Sequence, residues 1–131
     1  MKTVLTYGTF DLLHEGHIEF FKKCKAMGDY LIVGVSSDQY NREKGKVSCN
    51  DFDTRKRNVE AVPYVDLVFK EDNMVQKRKD IIEYNADILA LSAEYAGMFD
   101  YLKKYAEVIY VERTPGISTT KIKEENNAKQ K

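Results

Sequence analysis

Short apolar runs that alternate with amphipathic stretches limit this chain to few architectures. Residues 4–7, 30–35, 65–69, 88–91 and 108–111 are apolar and rich in β-branched side chains, and they predict five strands. Between them the apolar spacing becomes helical. Ile18, Phe21, Cys24 and Met27 recur three apart from a start near Gly16, with Lys22, Lys23 and Lys25 on the outer side and Gly28 as the stop. A second helix is expected over residues 51–61, ended by Pro63, and a third over 75–84, with Asn85 in a left-handed backbone. A short fourth covers residues 99–105, and a last one starts near Ser118. Strands joined by helices through short connections form a parallel sheet with right-handed crossovers, covered on both faces. The fold expected is α/β: a Rossmann-like, doubly wound, five-stranded parallel sheet with helices on both faces. Ligands of such sheets bind beyond the C-terminal strand ends, where the strand order reverses.

A single domain over residues 1–131 accounts for the length, with residues 124–131 a polar C-terminal tail. Lys plus Arg and Asp plus Glu number 21 each, so no global field attracts nucleic acid or an anionic membrane, and neither is expected as a partner. Any anion site must therefore be built locally. Cys24 and Cys49 are the only cysteines and form no Cys-x-x-Cys pair; Cys24 falls on the apolar side of its helix, as a thiol in a reducing compartment does. The first residues enter a strand rather than a charged-then-apolar leader, and no apolar run approaches eighteen residues. The expected location is the cytoplasm.

His14-Glu15-Gly16-His17 stands where the first strand, after the turn Tyr7-Gly8-Thr9-Phe10-Asp11, hands over to the first helix. Unpaired N–H groups and the positive end of the helix dipole make that point receptive to an anion, and two imidazoles sit beside it. Zinc is the competing ligand for a pair of histidines three apart, but a closed zinc site takes about four ligands and neither cysteine stands near in sequence.

Two further segments leave predicted strands at the same edge of the sheet. Arg113-Thr114-Pro115-Gly116-Ile117-Ser118-Thr119-Thr120-Lys121 follows the last strand; Ser118 is a good N-cap, Arg113 brings a fork of donors suited to phosphate, and three consecutive hydroxyl residues exceed what a cap requires. Arg42-Glu43-Lys44-Gly45-Lys46-Val47-Ser48 follows strand two and reads as a mobile, glycine-containing loop. A polyphosphate is the simplest ligand that uses all three clusters.

These residues carry a resemblance. Tyr7-Gly8-Thr9-Phe10-Asp11-Leu12-Leu13-His14-x-Gly16-His17, together with Arg113-Thr114-x-Gly116-Ile117-Ser118-Thr119-Thr120-Lys121-Ile122-Lys123, closely resembles the nucleotidylyltransferase superfamily and, within it, the bacterial glycerol-3-phosphate cytidylyltransferases. The resemblance spans nearly the whole chain. It implies that a phosphate oxygen of a small alcohol phosphate attacks the α-phosphorus of CTP, pyrophosphate leaves and a CDP-alcohol forms for surface-polymer synthesis, with Mg²⁺ accompanying the triphosphate. It also implies that His14, His17, Lys44 and Arg113 are catalytic. The nucleotide would be bound by these four together with Thr9, Phe10, Asp11, Lys46, Thr114, Ser118 and Thr119. Asp11 would orient its neighbours or touch the magnesium ion, which the triphosphate mainly holds. Family members are commonly homodimers.

The chain departs from the family pattern at Glu15, between the histidines, where the family typically has Trp; at Pro63, in place of Arg before Tyr64-Val65-Asp66; at Met74, in place of Trp; and at Ser92-Ala93-Glu94-Tyr95, in place of Gly-Asp-Asp-Trp. Glu15, Pro63, Asp66, Met74, Glu94 and Tyr95 are accordingly the candidates for contact with the acceptor. These departures leave open glycerol-3-phosphate, a longer polyol phosphate or a sugar phosphate. Rival readings are a nucleotide-binding module without turnover and an adenylyltransferase on the same fold. Supplied at equal concentration, CTP should support transfer and ATP should not; the reverse preference selects the adenylyltransferase, and CTP binding without turnover selects the module.

Overall fold

Five parallel strands form one sheet in the computed structural model, which describes residues 1–112. They are β1 (Thr3–Gly8), β2 (Tyr30–Ser36), β3 (Leu67–Glu71), β4 (Ile88–Ser92) and β5 (Glu107–Val111), in the order β3-β2-β1-β4-β5. The chain winds outward from β1 through β2 to β3, then returns to pair β4 with the other side of β1, so strand order reverses between β1 and β4. Helices α1 (Glu15–Lys25), α2 (Asp38–Glu43), α3 (Phe52–Glu60) and α4 (Gln76–Glu83) connect the strands, and short 3-10 turns occupy Ala93–Tyr95 and Asp100–Leu102. Arg113, Thr114, Ser118, Thr119, the helix expected near Ser118 and the tail 124–131 lie outside the described residues.

The two faces of the sheet bury separate cores, which is the doubly wound arrangement the strand and helix alternation predicts. Val4, Leu31, Val33, Val35, Ile88 and Ala90 point to one side, against Phe20, Phe21 and Cys24 of α1 and Val59 of α3. Leu5, Tyr7, Ile32, Leu89 and Leu91, their neighbours in sequence, point to the other, against Ile81 of α4 and Phe99 and Leu102 of the 3-10 region. Alternation of this kind follows from the two-residue period of a strand, and each fully buried aliphatic side chain contributes about 1.5–3 kcal/mol.

Local chemistry sets the boundaries. Helix α3 starts at Asp51, whose carboxylate accepts from the Thr54 amide at 2.9 Å, and its C-cap is Ala61. Beyond α4, Asn85 takes φ 54°, the left-handed conformation expected of it. Four expectations need correction. The inward face of α1 is His17, Phe20, Phe21 and Cys24, with Ile18 turned outward, because a strict three-residue spacing drifts around a helix of 3.6 residues per turn. Strand β3 begins two residues later than predicted, since the Val65 amide closes a turn onto the Val62 carbonyl and Asp66 is drawn to the start of β2. Residues 99–105 hold only a 3-10 turn. Residues 38–43 form α2, so Arg42 and Glu43, expected in a loop, are helical.

Gly8 closes β1 because a side chain there has no room: a Cβ would lie 2.7 Å from the Phe10 ring, itself packed against Phe20 and Phe21. Gly8→Ala should therefore lower stability by about 1–3 kcal/mol in urea unfolding. An unchanged midpoint would show that the ring moves aside freely.

Candidate active site

The turn from β1 into α1 is strained, then locked. Phe10 and Leu12 have φ of 51° and 49°, left-handed values that cost bulky side chains on the order of 1–3 kcal/mol each, and the surrounding packing holds them there. The Phe10 ring is buried under the turn, 5.6 Å from the His17 ring in an edge contact. Asp11, also buried, accepts from the amides of Cys49 at 2.7 Å and Asn50 at 3.0 Å. Its observed work is to fasten the 45–51 loop to the β1 turn.

His14 and His17 form the helix cap themselves. His14 is the N-cap of α1, and its Nδ1 accepts from the Gly16 amide at 3.0 Å; His17 Nδ1 accepts from the His14 amide at 3.2 Å. The two rings stack with centroids 3.9 Å apart. An Nδ1 that accepts carries no proton, so each neutral imidazole holds its proton on Nε2. This reciprocal arrangement is a capping box built from imidazoles in place of a hydroxyl and a carboxylate. It stands directly after β1, one of the two strands between which the order reverses. Glu15 is exposed in the first turn of the helix, between the histidines.

Lys44 and Lys46 reach the same edge through the end of α2. Gly45, at φ 76°, lets the chain reverse; its amide bonds to the Arg42 carbonyl and the Lys46 amide to the Asn41 carbonyl, the paired pattern of a Schellman ending. The lysines therefore flank a helix C-terminus, where cations are favoured, and belong to a tethered segment. Asn41 adds to the tether by donating to Ser48 Oγ at 2.8 Å and accepting from Thr9 Oγ1 at 3.1 Å. Lys44 Nζ donates to Ser36 Oγ at 3.1 Å and lies 4.2 Å from the centre of the Tyr40 ring. Burial pulls the Lys44 ammonium down to about 8, helped by the nearby charges of Lys46, Lys77 and Arg55 and opposed by Glu71.

Sequence reasoning missed Arg55, the fully buried arginine that joins these pieces. Its Nε donates to the Asn50 carbonyl at 3.1 Å, Nη1 to the carbonyls of Thr9 and Ser36 at 2.9 and 2.8 Å, and Nη2 to Asp38 Oδ1 at 2.7 Å. One guanidinium thus binds the turn after β1, the end of β2, the 45–51 loop and the start of α2. Partial burial would raise the Asp38 carboxyl, but the Phe52 amide and Arg55 outweigh it and hold it below the usual carboxylate range. The available signal was an arginine one turn before Val59, on the inward stripe of α3.

The acceptor candidates divide. Met74 is exposed in the loop after β3, and Glu94 and Tyr95 lie in the 3-10 turn after β4, all at the C-terminal edge. Tyr95 is close enough to Tyr40 to help Glu71 and, foremost, burial push that phenol up to about 12. Pro63 and Asp66 precede β3 and so stand at the opposite, N-terminal edge. Asp66 pairs with Lys25 and accepts from the Leu31 amide at 2.8 Å, tying α1 and β2 to the start of β3; within one chain neither residue joins the histidines. At the other side of the sheet, Lys23 of α1 donates to the Glu112 carbonyl at 3.0 Å, so the chain leaves β5 beside α1 just before Arg113.

A parallel sheet with imidazoles and lysines at the C-terminal edge beside its switch point defines an α/β domain suited to nucleotide phosphates. Known proteins narrow the class. A family model described as cytidylyltransferase-like matches residues 5–125. The glycerol-3-phosphate cytidylyltransferase of Bacillus subtilis (strain 168) is 50% identical over 125 residues, covering 95% of this chain and 97% of that one. The protein of the same name from Staphylococcus aureus (strain NCTC 8325 / PS 47) is also 50% identical over 125 residues, covering 95% of each chain. Among solved structures, the lipopolysaccharide core biosynthesis protein from Thermoplasma volcanium GSS1 superposes with a TM-score of 0.74 at 28% identity, covering 87% of this chain and 97% of that one. This chain belongs to the cytidylyltransferase-like family.

Arg55→Met should leave the Thr9, Ser36 and Asn50 carbonyls without their donor and cost on the order of 3 kcal/mol or more in urea unfolding. A variant as stable as the parent would mean that the guanidinium is not what closes this edge.

Proposed function

We propose that the protein transfers CMP from CTP to glycerol-3-phosphate, giving CDP-glycerol and pyrophosphate. The observation that carries this reading is the imidazole capping box at the switch point of a chain half identical to proteins named for that activity. A phosphate oxygen of the acceptor attacks the α-phosphorus in line; the new P–O bond forms as the bond to the β-phosphate breaks, and pyrophosphate carries away the negative charge. No protein nucleophile is needed. Nor is a base, because a phosphate monoester is already ionised at neutral pH.

The residues then act by placing charge. His14 and His17 donate from Nε2 to the oxygens on which charge develops, and the backbone caps at Nδ1 hold both rings in the required tautomer. Lys44 and Lys46 close over the phosphates from the end of α2. Thr9 and Phe10 line the turn, Asp11 keeps the lysine-bearing loop against it, and Arg113, Thr114, Ser118 and Thr119 complete the cradle from the segment that leaves β5 beside α1. Magnesium would neutralise part of the triphosphate charge. The nucleotide's own oxygens would mainly hold it, and Asp11, whose carboxylate already accepts from the Cys49 and Asn50 amides, is the protein group that would orient its neighbours or touch the ion.

Glycerol-3-phosphate is favoured as the acceptor because Pro63, the departure that removes an arginine, stands at the opposite sheet edge within the chain. Glu15, Met74, Glu94 and Tyr95 remain the positions where a longer polyol phosphate would be told apart. The product is an activated donor for a surface polymer such as a teichoic acid or a capsule. The enzyme would work in the cytoplasm as a homodimer, which light scattering tests directly. No helix among the described residues is long and apolar enough to cross a membrane.

Incubated with CTP, Mg²⁺ and a panel of glycerol, erythritol, ribitol and sugar phosphates, the protein should release pyrophosphate and form CDP-glycerol, identified by mass. A CDP product from another acceptor in preference would overturn the substrate assignment, and no product from any would overturn the activity. His14→Ala and His17→Ala should each lose on the order of 100- to 1000-fold in kcat, about 3–4 kcal/mol of transition-state stabilisation. Near-normal turnover in either would remove it from the mechanism.

A further inference from the structure

Beneath Lys44 lies a buried ionic pair that the proposed reaction does not use directly. Ser36 ends β2 and Glu71 ends β3, and the parallel register sets them side by side. The Ser36 hydroxyl, which accepts from Lys44 Nζ at 3.1 Å, is 3.3 Å from Glu71 Oε1, and Glu71 Oε2 accepts from Lys77 Nζ at 2.7 Å. Ser36, Glu71 and Lys77 are 0%, 2% and 5% exposed, so none presents a surface to substrate. Lys77 is further enclosed by Tyr7 and Phe99, their ring centres 4.6 and 4.8 Å from its Nζ.

A buried pair of this kind gains little stability over apolar side chains of similar size, so its retention at the working edge asks for another explanation. We propose that Glu71 is a positioning residue for Lys44: through the hydroxyl of Ser36 it holds the Lys44 ammonium as a fixed cation at the phosphate-binding edge. Serine suits the relay because its hydroxyl accepts from the ammonium while turning its one proton to Glu71 Oε1 or to the Gly8 carbonyl, each 3.3 Å away, and the relay is the first of these two orientations. The relay also has electrostatic work to do. Lys44 is half-buried and faces Lys46 beyond its own helix, Arg55 of α3 and Lys77 of α4, all of which disfavour its charge; the Tyr40 ring lies below it, and Glu71 of β3 is the carboxylate that opposes them. Without Glu71 the balance tips toward the neutral amine, which donates to phosphate more weakly. Lys77 acts in the opposite sense, sharing the carboxylate and limiting its pull on Lys44.

The inference rests on the phosphate-binding role proposed for Lys44, but its central test does not need turnover. Lysine ¹³Cε NMR, with the Lys44 signal assigned by Lys44→Arg, follows the titration of this ammonium. In Glu71→Gln the midpoint should fall by on the order of one pH unit, and in Lys77→Met it should rise. Both of these shifts follow from charge acting through space, so the relay itself is read from a third variant that removes no charge. Ser36→Ala keeps the Lys77–Glu71 pair and guards against misfolding of the other two. It should lower the midpoint with a smaller loss of thermal stability than either charge substitution, and in the transfer assay it should raise KM for CTP more than it lowers kcat. The fall of kcat/KM as pH rises through about 8 should begin at lower pH in Ser36→Ala and Glu71→Gln than in the parent. A Lys44 midpoint unmoved in Ser36→Ala or in Glu71→Gln would overturn the proposal; midpoints shifted in both, in a protein without CTP-dependent transfer, would uphold it and overturn only the assigned reaction.

Discussion

The buried guanidinium of Arg55 is the constraint on which the rest of the site depends. Parallel sheets leave carbonyls pointing out of their C-terminal edge, and the loops that follow must satisfy them without blocking the space a ligand needs. Arg55 resolves this with a single planar group: two carbonyls at the ends of β1 and β2, one in the 45–51 loop and the Asp38 carboxylate are all met from below. Because its donors have a fixed geometry, the guanidinium also sets the distance between the β1 turn that leads to the histidines and the helix that carries Lys44.

Around that anchor the site is assembled mainly from main-chain hydrogen bonds. Both imidazoles are oriented by amides of the helix they cap, the lysines flank the Schellman ending of α2, and Asp11 holds the loop by two amides. Positions fixed in this way are held in advance, which suits the proposed reaction, one accelerated by placing charge rather than by covalent chemistry. The strained backbone at Phe10 and Leu12 is the local cost of turning tightly enough from β1 into α1 to bring the histidines over the sheet.

Much of this was legible in the sequence, and the reasons are physical. Strand and helix alternation determined the topology because right-handed crossovers leave few alternatives, and His14 and His17 stood out because they sit where a strand hands over to a helix. Helix α2 escaped notice because five polar residues around a single aromatic, Tyr40, carry no apolar period; the Ser37 N-cap and the Lys44-Gly45-Lys46 ending were its only marks. Arg55 escaped for the opposite reason. It occupies an inward position where an apolar residue is expected, and its partners are carbonyls, which leave no trace in sequence. Asp66 looked like a site residue beside a family departure, yet strand polarity puts it at the far edge, where it joins Lys25 to the start of β2.

The central claim is that backbone caps at Nδ1 set both histidines to donate from Nε2 toward the phosphates. Nitrogen-15 NMR of the two imidazole rings at neutral pH tests it most directly. Unprotonated, hydrogen-bond-accepting Nδ1 and protonated Nε2 signals for both His14 and His17, with the Nε2 signals moving when CTP is added, are the predicted result. A protonated Nδ1 in either neutral ring, or Nε2 signals indifferent to CTP, would contradict it.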